Sequence, residues 1–370
     1  MNKIRLGIVG LGNMGSGHFY NVLNNKCPSV KITAVCDIDT QKLEKAKEYS
    51  EIMLFTDYTK MLDSKIVDAV LIAVPHYEHP TIAIECFKRK IHVLTEKPAG
   101  VYTRQVREMN EAAKKSGVKF GIMFNQRTNP IYAKTREIVQ SGKLGELKRM
   151  VWIITNWYRT QAYYDSGSWR ATWNGEGGGV LLNQAPHNLD LWQWIFGMPK
   201  RIRAFCEFGK YHNIGVEDDV TIYGEYENGA TATFISTTGD ACGTNRLEIT
   251  GDRGKIVIEH GKLCHWELKV PEREFCFTSK EGFATPENIY EEFTATEPEG
   301  HPEVLEAFAQ SVINNTPMIA DGTDGINSLQ ISNAAYLSTW TNNWVEIPAN
   351  ETLFEKHLDE LRKNENYSKK

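Results

Sequence analysis

Lys97 and His187 are the side chains of this chain best suited to proton chemistry. Lys97 stands in Glu96-Lys97-Pro98, directly after the apolar run 91–95. A lysine set in a cleft is desolvated, which lowers its pKa and frees it to donate or exchange a proton. A solvated lysine before a proline turn fits the same spacing. His187 closes a run from Gly177-Gly178-Gly179 through Asn183, Gln184 and Pro186, and Asp190 follows it. With a helix running from about 179 to 196, Asn183, His187 and Asp190 fall on one face at i, i+4 and i+7. Imidazole transfers protons near neutral pH, and a neighbouring amide orients a hydroxyl without changing charge. Pro186 kinks or begins that helix and so aims His187; a histidine packed in a core helix fits the pattern as well. Between the two lie Trp157-Tyr158-Arg159, Tyr163-Tyr164, Trp169-Arg170 and Trp173. Aromatic faces and forked guanidinium donors suit a polyhydroxylated ring, and sheet packing accounts for part of the same set.

The elements that must position these groups start at the amino terminus. Residues 3–9 read as a buried strand running into Gly10-Leu11-Gly12-Asn13-Met14-Gly15, the spacing G-x-G-x-x-G. The glycines serve a tight turn, close backbone approach to a pyrophosphate, and close packing of the next helix, whose N-terminus offers N–H groups to an anion. A second apolar run, 30–36, ends at Asp37, near the ~20-residue spacing at which a carboxylate meets the adenosine ribose hydroxyls. Ile38 follows in place of a small residue and an arginine, and a carboxylate repels a 2′-phosphate, so NAD is expected rather than NADP. Helices at 40–50 and 58–63, a buried strand at 68–74, a helix at 80–90 and a strand at 91–95 follow. A helix at 104–116 and a strand at 118–123 complete βαβ units in a doubly wound parallel sheet that ends near Phe124. Ligands in such a sheet lie outside the carboxyl ends of the strands. That singles out three turns, 10–15, Pro75-His76-Tyr77-Glu78-His79 and Glu96-Lys97-Pro98.

Beyond Phe124 the pattern changes. A helix at 130–141 and a strand at 147–157 precede the glycine and aromatic segment. Alternating strands at 201–208, 220–227, 230–237, 246–250 and 255–259 follow, with Asn228-Gly229 as a hairpin signal. Helices at 302–314 and 325–343 close the fold, and the polar end 364–370 is expected to fray. The chain of 370 residues has room for two domains, 42 basic against 47 acidic residues, and no basic stripe for nucleic acid. No apolar run reaches the ~18 residues of a membrane span, and no signal peptide precedes the first strand, so a cytoplasmic protein is expected. The seven cysteines are scattered singly with no histidine at ligand spacing, which predicts reduced thiols and no metal site.

These residues together resemble the Gfo/Idh/MocA oxidoreductases, the group that includes glucose-fructose oxidoreductase and inositol dehydrogenase. The resemblance runs through the glycine turn, Ala73-Val74-Pro75-His76 with His79, Glu96-Lys97-Pro98, and the Gly-Gly run leading to His187. It implies an α/β fold: a Rossmann domain over 1–124 and an α+β domain over 125–370 with a large, mainly antiparallel open sheet, closed by the helices at 302–343. That sheet often mediates dimers and tetramers in the family, so a homo-oligomer is expected. Lys97 matches the family's catalytic lysine, His187 its acid/base, and Asn183 stands beside them at the reacting oxygen. Cofactor contacts are implied for Gly10, Leu11, Gly12, Asn13, Met14, Gly15, Asp37, Ala73, Val74, Pro75, His76, His79, Glu96 and Lys97. Asn125, Trp169 and Arg170 match positions at the nicotinamide end in some members. Lys97, Tyr158, Arg159, Trp169, Asn183 and His187 are implied at the substrate. Two positions depart from the family pattern: Asn183 replaces the usual Asp, and His76 replaces a common Asn. The implied activity is NAD-dependent oxidation of a secondary hydroxyl on a sugar, cyclitol or glycoside. An NAD-retaining glycosidase uses the same constellation, and a non-catalytic NAD-binding sensor is a third possibility that the presence of Lys97 and His187 disfavours.

Overall fold

The computed structural model describes residues 3–296, 298 and 300–365, and the chain divides into two compact units. The first comprises residues 1–128, 175–177 and 299–329. Its six parallel strands are β1 (Ile4–Val9), β2 (Val30–Cys36), β3 (Met53–Phe55), β4 (Ala69–Ile72), β5 (His92–Thr95) and β6 (Phe120–Ile122), in the order β3-β2-β1-β4-β5-β6. The chain leaves β1 in one direction and returns on the other side as β4, so the switch point of the sheet lies at the ends of β1 and β4. Leu6, Ile8, Ala69 and Leu71 are wholly enclosed there, as expected for strands covered on both faces.

Three features of this unit differ from the sequence reading. The helix expected over 40–50 is only Thr40–Leu43 with a 3-10 turn Glu44–Ala46, after which the chain runs to β3 at the sheet edge. β3 itself has three residues, too few for a period to register. The helix His301–Asn314, which the sequence reading groups with the second domain, packs Val304, Leu305, Phe308 and Ala309 into the core that holds Ile4, Leu6 and Ile8.

The second unit comprises residues 129–174, 178–298 and 330–370. Its strands are β7 (Leu147–Ile154), β8 (Arg201–Phe208), β9 (Glu217–Glu225), β10 (Thr231–Thr237), β11 (Asn245–Gly251), β12 (Gly254–Glu259), β13 (Lys262–Leu268), β14 (Asn288–Thr294) and β15 (Val345–Glu346). They form one sheet in the order β14-β13-β12-β11-β7-β10-β9-β8-β15, antiparallel except where β7 pairs with β10. Met150, Trp152 and Ile154 on β7 are buried and alternate with half-exposed Val151 and Ile153, so one face of the sheet is covered within the unit. Trp152, Trp192 and Phe234 fill that core; Trp192 stacks on Phe234, and its indole N–H is satisfied by Tyr226 Oη at 2.6 Å. A further helix, Glu351–Asn364, is present, and most of the end expected to fray lies outside the described residues. No helix among the described residues is long and apolar enough to cross a membrane.

Candidate active site

The glycine turn is dictated by sterics at two of its three glycines. Gly10 has φ +91°, and a Cβ there would lie 2.3 Å from the carbonyl oxygen of Ala73; a Cβ on Gly15 would lie 1.8 Å from the carbonyl oxygen of Gly10. The ends of β1 and β4 are therefore in backbone contact. At Gly12 the added Cβ would meet nothing within 4 Å, so its backbone faces open space that a ligand can approach. Gly12 is also the N-cap of the helix Asn13–Leu23 and supplies no side-chain acceptor, which leaves first-turn N–H groups for an anion. Asp37 is buried after β2. Its Oδ2 accepts the Leu11 N–H at 2.7 Å and its Oδ1 the Asp39 N–H at 2.9 Å. Each oxygen keeps a second lone pair for a ribose hydroxyl, and the carboxylate is fixed to the glycine turn itself. These residues fit a dinucleotide.

The Glu96-Lys97-Pro98 turn leaves the end of β5. Glu96 is 5% exposed; its Oε1 meets His18 Nε2 at 2.7 Å and its Oε2 accepts the backbone N–H of Lys97 at 3.1 Å. Burial pushes the Glu96 carboxyl up, but the His18 hydrogen bond and the charges of His18, Lys97 and His301 outweigh it and hold the group down at about 2. Glu96 thus ties the helix after the glycine turn to the turn bearing Lys97. His18 Nδ1 is buried with no hydrogen-bond partner among the described residues. His301 packs edge-on against the His18 ring at 5.5 Å and lies 3.4 Å from the Asn125 amide, and burial pushes its pKa down. His18 and His301 escaped the sequence reading. His18 is one turn past Gly15 on an otherwise apolar face, which is a usable signal; His301 lies more than 200 residues from Glu96 and had none. His76 Nδ1 meets the Glu176 carbonyl at 2.9 Å, and both ring nitrogens of His79 meet carbonyls, Val74 and Pro98, at 2.8 Å. His79 therefore pins the turn after β4 to the turn after β5.

In the second unit the helix begins at Pro186, not near 179, and ends at Phe196. Asn183 precedes it in a turn, which corrects the expectation that Asn183 and His187 share a helical face; proline at the first helical position starts the helix instead of kinking it. The turn is locked from behind. A Cβ on Gly178 would lie 2.1 Å from Tyr336 Oη, and one on Gly179 1.9 Å from the Glu217 carbonyl oxygen. Glu217, completely buried, accepts the N–H groups of Gly179 and Leu181 at 2.8 and 2.9 Å and the Tyr336 hydroxyl at 2.7 Å. Burial outweighs those bonds and lifts its carboxyl to about 7.

Asn183 faces the aromatic segment. Tyr163 Oη accepts Arg170 Nη1 at 2.9 Å and Gln184 Nε2 at 3.3 Å, and lies 3.5 Å from Asn183 Oδ1. With both lone pairs filled, the Tyr163 proton points to Asn183 Oδ1, which turns the Asn183 amide so that its NH2 faces away from Tyr163. Arg159 and Arg170 both pack on the Tyr163 ring, Arg170 also on Trp169 and Arg159 on Trp157. The Trp157 indole donates to Asn188 on the His187 helix at 3.2 Å. Tyr158 is exposed. A recess of about 830 Å³ lined by Arg246, Lys255, Val257 and Trp266 contains none of these residues.

A parallel sheet in this strand order, with a glycine turn at its switch point and a carboxylate after the second strand, defines an NAD-binding Rossmann domain. Comparison with known proteins agrees: residues 4–124 match the oxidoreductase family with an NAD-binding Rossmann fold, and residues 132–257 match the GFO/IDH/MocA C-terminal domain. The chain belongs to the Gfo/Idh/MocA family of oxidoreductases. It is 27% identical over 368 residues to the D-glucoside 3-dehydrogenase of Escherichia coli K12, covering 94% of this chain and 98% of that protein. It is 25% identical over 341 residues to the myo-inositol 2-dehydrogenase of Thermotoga maritima, covering 90% and 95%. Among solved structures, the WlbA dehydrogenase of Chromobacterium violaceum, in complex with NADH and UDP-GlcNAcA, superposes with a TM-score of 0.81 at 27% identity, over 95% of this chain and 97% of that one.

Proposed function

We propose that this chain is an NAD-dependent dehydrogenase that oxidises a secondary hydroxyl of a sugar, cyclitol or glycoside, with Lys97, His187 and Asn183 at the reacting oxygen. The observation that carries the reading is the Glu96 bridge, which joins the backbone of Lys97 to the helix of the glycine turn and so links the lysine's position to the nucleotide site. The relatives named for inositol and glucoside dehydrogenation support the substrate class. NAD, when bound, supplies the hydride acceptor. His187 takes the hydroxyl proton, and Lys97 stabilises the charge that develops on the oxygen. The Asn183 amide, its carbonyl engaged by Tyr163, donates an N–H to the same oxygen; unlike an aspartate it cannot share the proton, so the proton goes to His187 alone. The half-exposed sheet residues Val151, Ile153 and Ile235 fit a subunit contact.

The test replaces Lys97 by Ala and follows reduced nicotinamide by its absorbance with inositols, hexoses, anhydrosugars and glycosides. The expected result is loss of at least a thousandfold in kcat with NAD affinity nearly kept. Unchanged turnover in K97A refutes the assignment, and aglycone release without NADH accumulation replaces it with the glycosidase.

A further inference from the structure

We propose that Arg159, with Arg170 and Tyr163, forms a subsite for a carboxylate, so that the substrate is an acidic sugar of the uronate or aldonate type and not a neutral one. This rests on the reading above that Asn183 lies at the reacting oxygen, and it names the substrate class of that same site.

The argument starts from the donors of Arg159. Its guanidinium lies 5.2 Å from the centre of the Tyr163 ring and 5.8 Å from that of Trp157. Its hydrogen bonds all leave from Nη1, to the carbonyls of Tyr158 at 2.9 Å and Trp157 at 3.4 Å. Among the described residues it has no acidic partner. The Nε–Nη2 edge, two parallel donors spaced for the two oxygens of a carboxylate, therefore remains unused. The backbone beneath is held on both sides: the Arg159 N–H donates to Thr238 O at 3.0 Å, and its carbonyl lies 2.8 Å from His212 Nε2. A second cation, Arg170, lies 4.6 Å from the same Tyr163 ring.

Two acidic groups of this unit, Asp218 and Asp165, are engaged by other residues. Asp218 accepts the N–H groups of Lys210, Tyr211 and His212 at 2.9 Å each, as well as the His212 ring. Asp165 accepts from Gln161 at 3.1 Å. One acceptor of the cluster also lacks its donor: Gln184, 5% exposed, gives its NH2 to Tyr163 while its Oε1 is buried with no partner among the described residues. A sugar supplies what is missing, a carboxylate for the arginine edge and a hydroxyl for Gln184. Tyr163 stands between that subsite and Asn183, so carboxylate and reacting hydroxyl sit on different carbons of one substrate.

The test is isothermal titration of the NAD-loaded protein with glucuronate and galacturonate against glucose and galactose, with glucose 6-phosphate as a third arm and NADH formation recorded in parallel. The expected result is at least tenfold tighter binding of a uronate than of its neutral parent. In R159Q the ratio falls to within threefold, and in R159K, which keeps the charge but loses the fork, it is intermediate. Thermal unfolding of both variants near the parent Tm establishes that they fold. Equal affinity for uronate and parent, tighter binding of the phosphate, or a ratio unmoved in R159Q overturns the proposal. NADH formed from neutral sugars under those outcomes leaves the dehydrogenase reading intact. Arg159-dependent uronate binding without NADH from any sugar supports the subsite and overturns the reaction.

Discussion

Replacing Glu96 by Gln removes one charge from a nearly wholly buried pair while keeping the side chain's shape. The carboxyl is held at about 2 against its ordinary 4.5, and at 1.36 kcal/mol per unit that displacement corresponds to roughly 3 kcal/mol of stability. The sign follows from linkage: the folded-state pKa lies below the unfolded one, so the stabilisation is full above about 4.5 and is lost as pH falls toward 2. Urea unfolding of the parent and E96Q is expected to differ by roughly 3 kcal/mol at pH 7, nearly as much at pH 5, and about half as much at pH 3. Because Glu96 Oε2 also holds the Lys97 N–H, kcat is expected to fall with it. A difference below about 1 kcal/mol at pH 7, or one that stays constant down to pH 3, refutes the picture of an ionised Glu96 bridging His18 and Lys97.

The glycine turn separates geometry from binding. G15A forces a Cβ to 1.8 Å from a backbone oxygen and is expected to lower Tm sharply, whereas G12A meets open space and is expected to keep Tm near the parent while NAD affinity falls at least tenfold by calorimetry. Glu217 runs in the opposite sense to Glu96: its folded-state pKa is raised to about 7, so its contribution is full below about 4.5 and lost as pH rises through 7. Between pH 5 and 8 the stability of E217Q, measured by urea unfolding, is therefore expected to gain up to roughly 3 kcal/mol relative to the parent, and parallel pH profiles refute this.

The amino-terminal half of the site was legible because its signals are local. Gly10, Gly15 and Asp37 are required within 30 residues by one turn and one helix, and strands buried on both faces read as unbroken apolar runs. The Lys97 turn was visible for the same reason, as a polar triplet after such a run. The start of the His187 helix was misplaced because 180–182 is apolar like the helix interior. Only the enclosure of Gly178 by Tyr336 and of Gly179 by the Glu217 backbone shows that this stretch is a packed turn.

The nucleotide end of this protein is written in local sequence: a glycine turn, with Gly10 and Gly15 forced by backbone contact, and the acidic residue after the second strand. Tertiary structure alone decided what those residues are coupled to. His18 meets Glu96 across 78 positions, His301 joins them from the far end of the chain, and Arg159, Tyr163, Arg170 and Asn183 become one cluster. The physical reason is that turns and strands are set by neighbours in sequence, whereas the protonation of Glu96 and the donor edge left open on Arg159 depend on which distant groups folding has brought within hydrogen-bond reach.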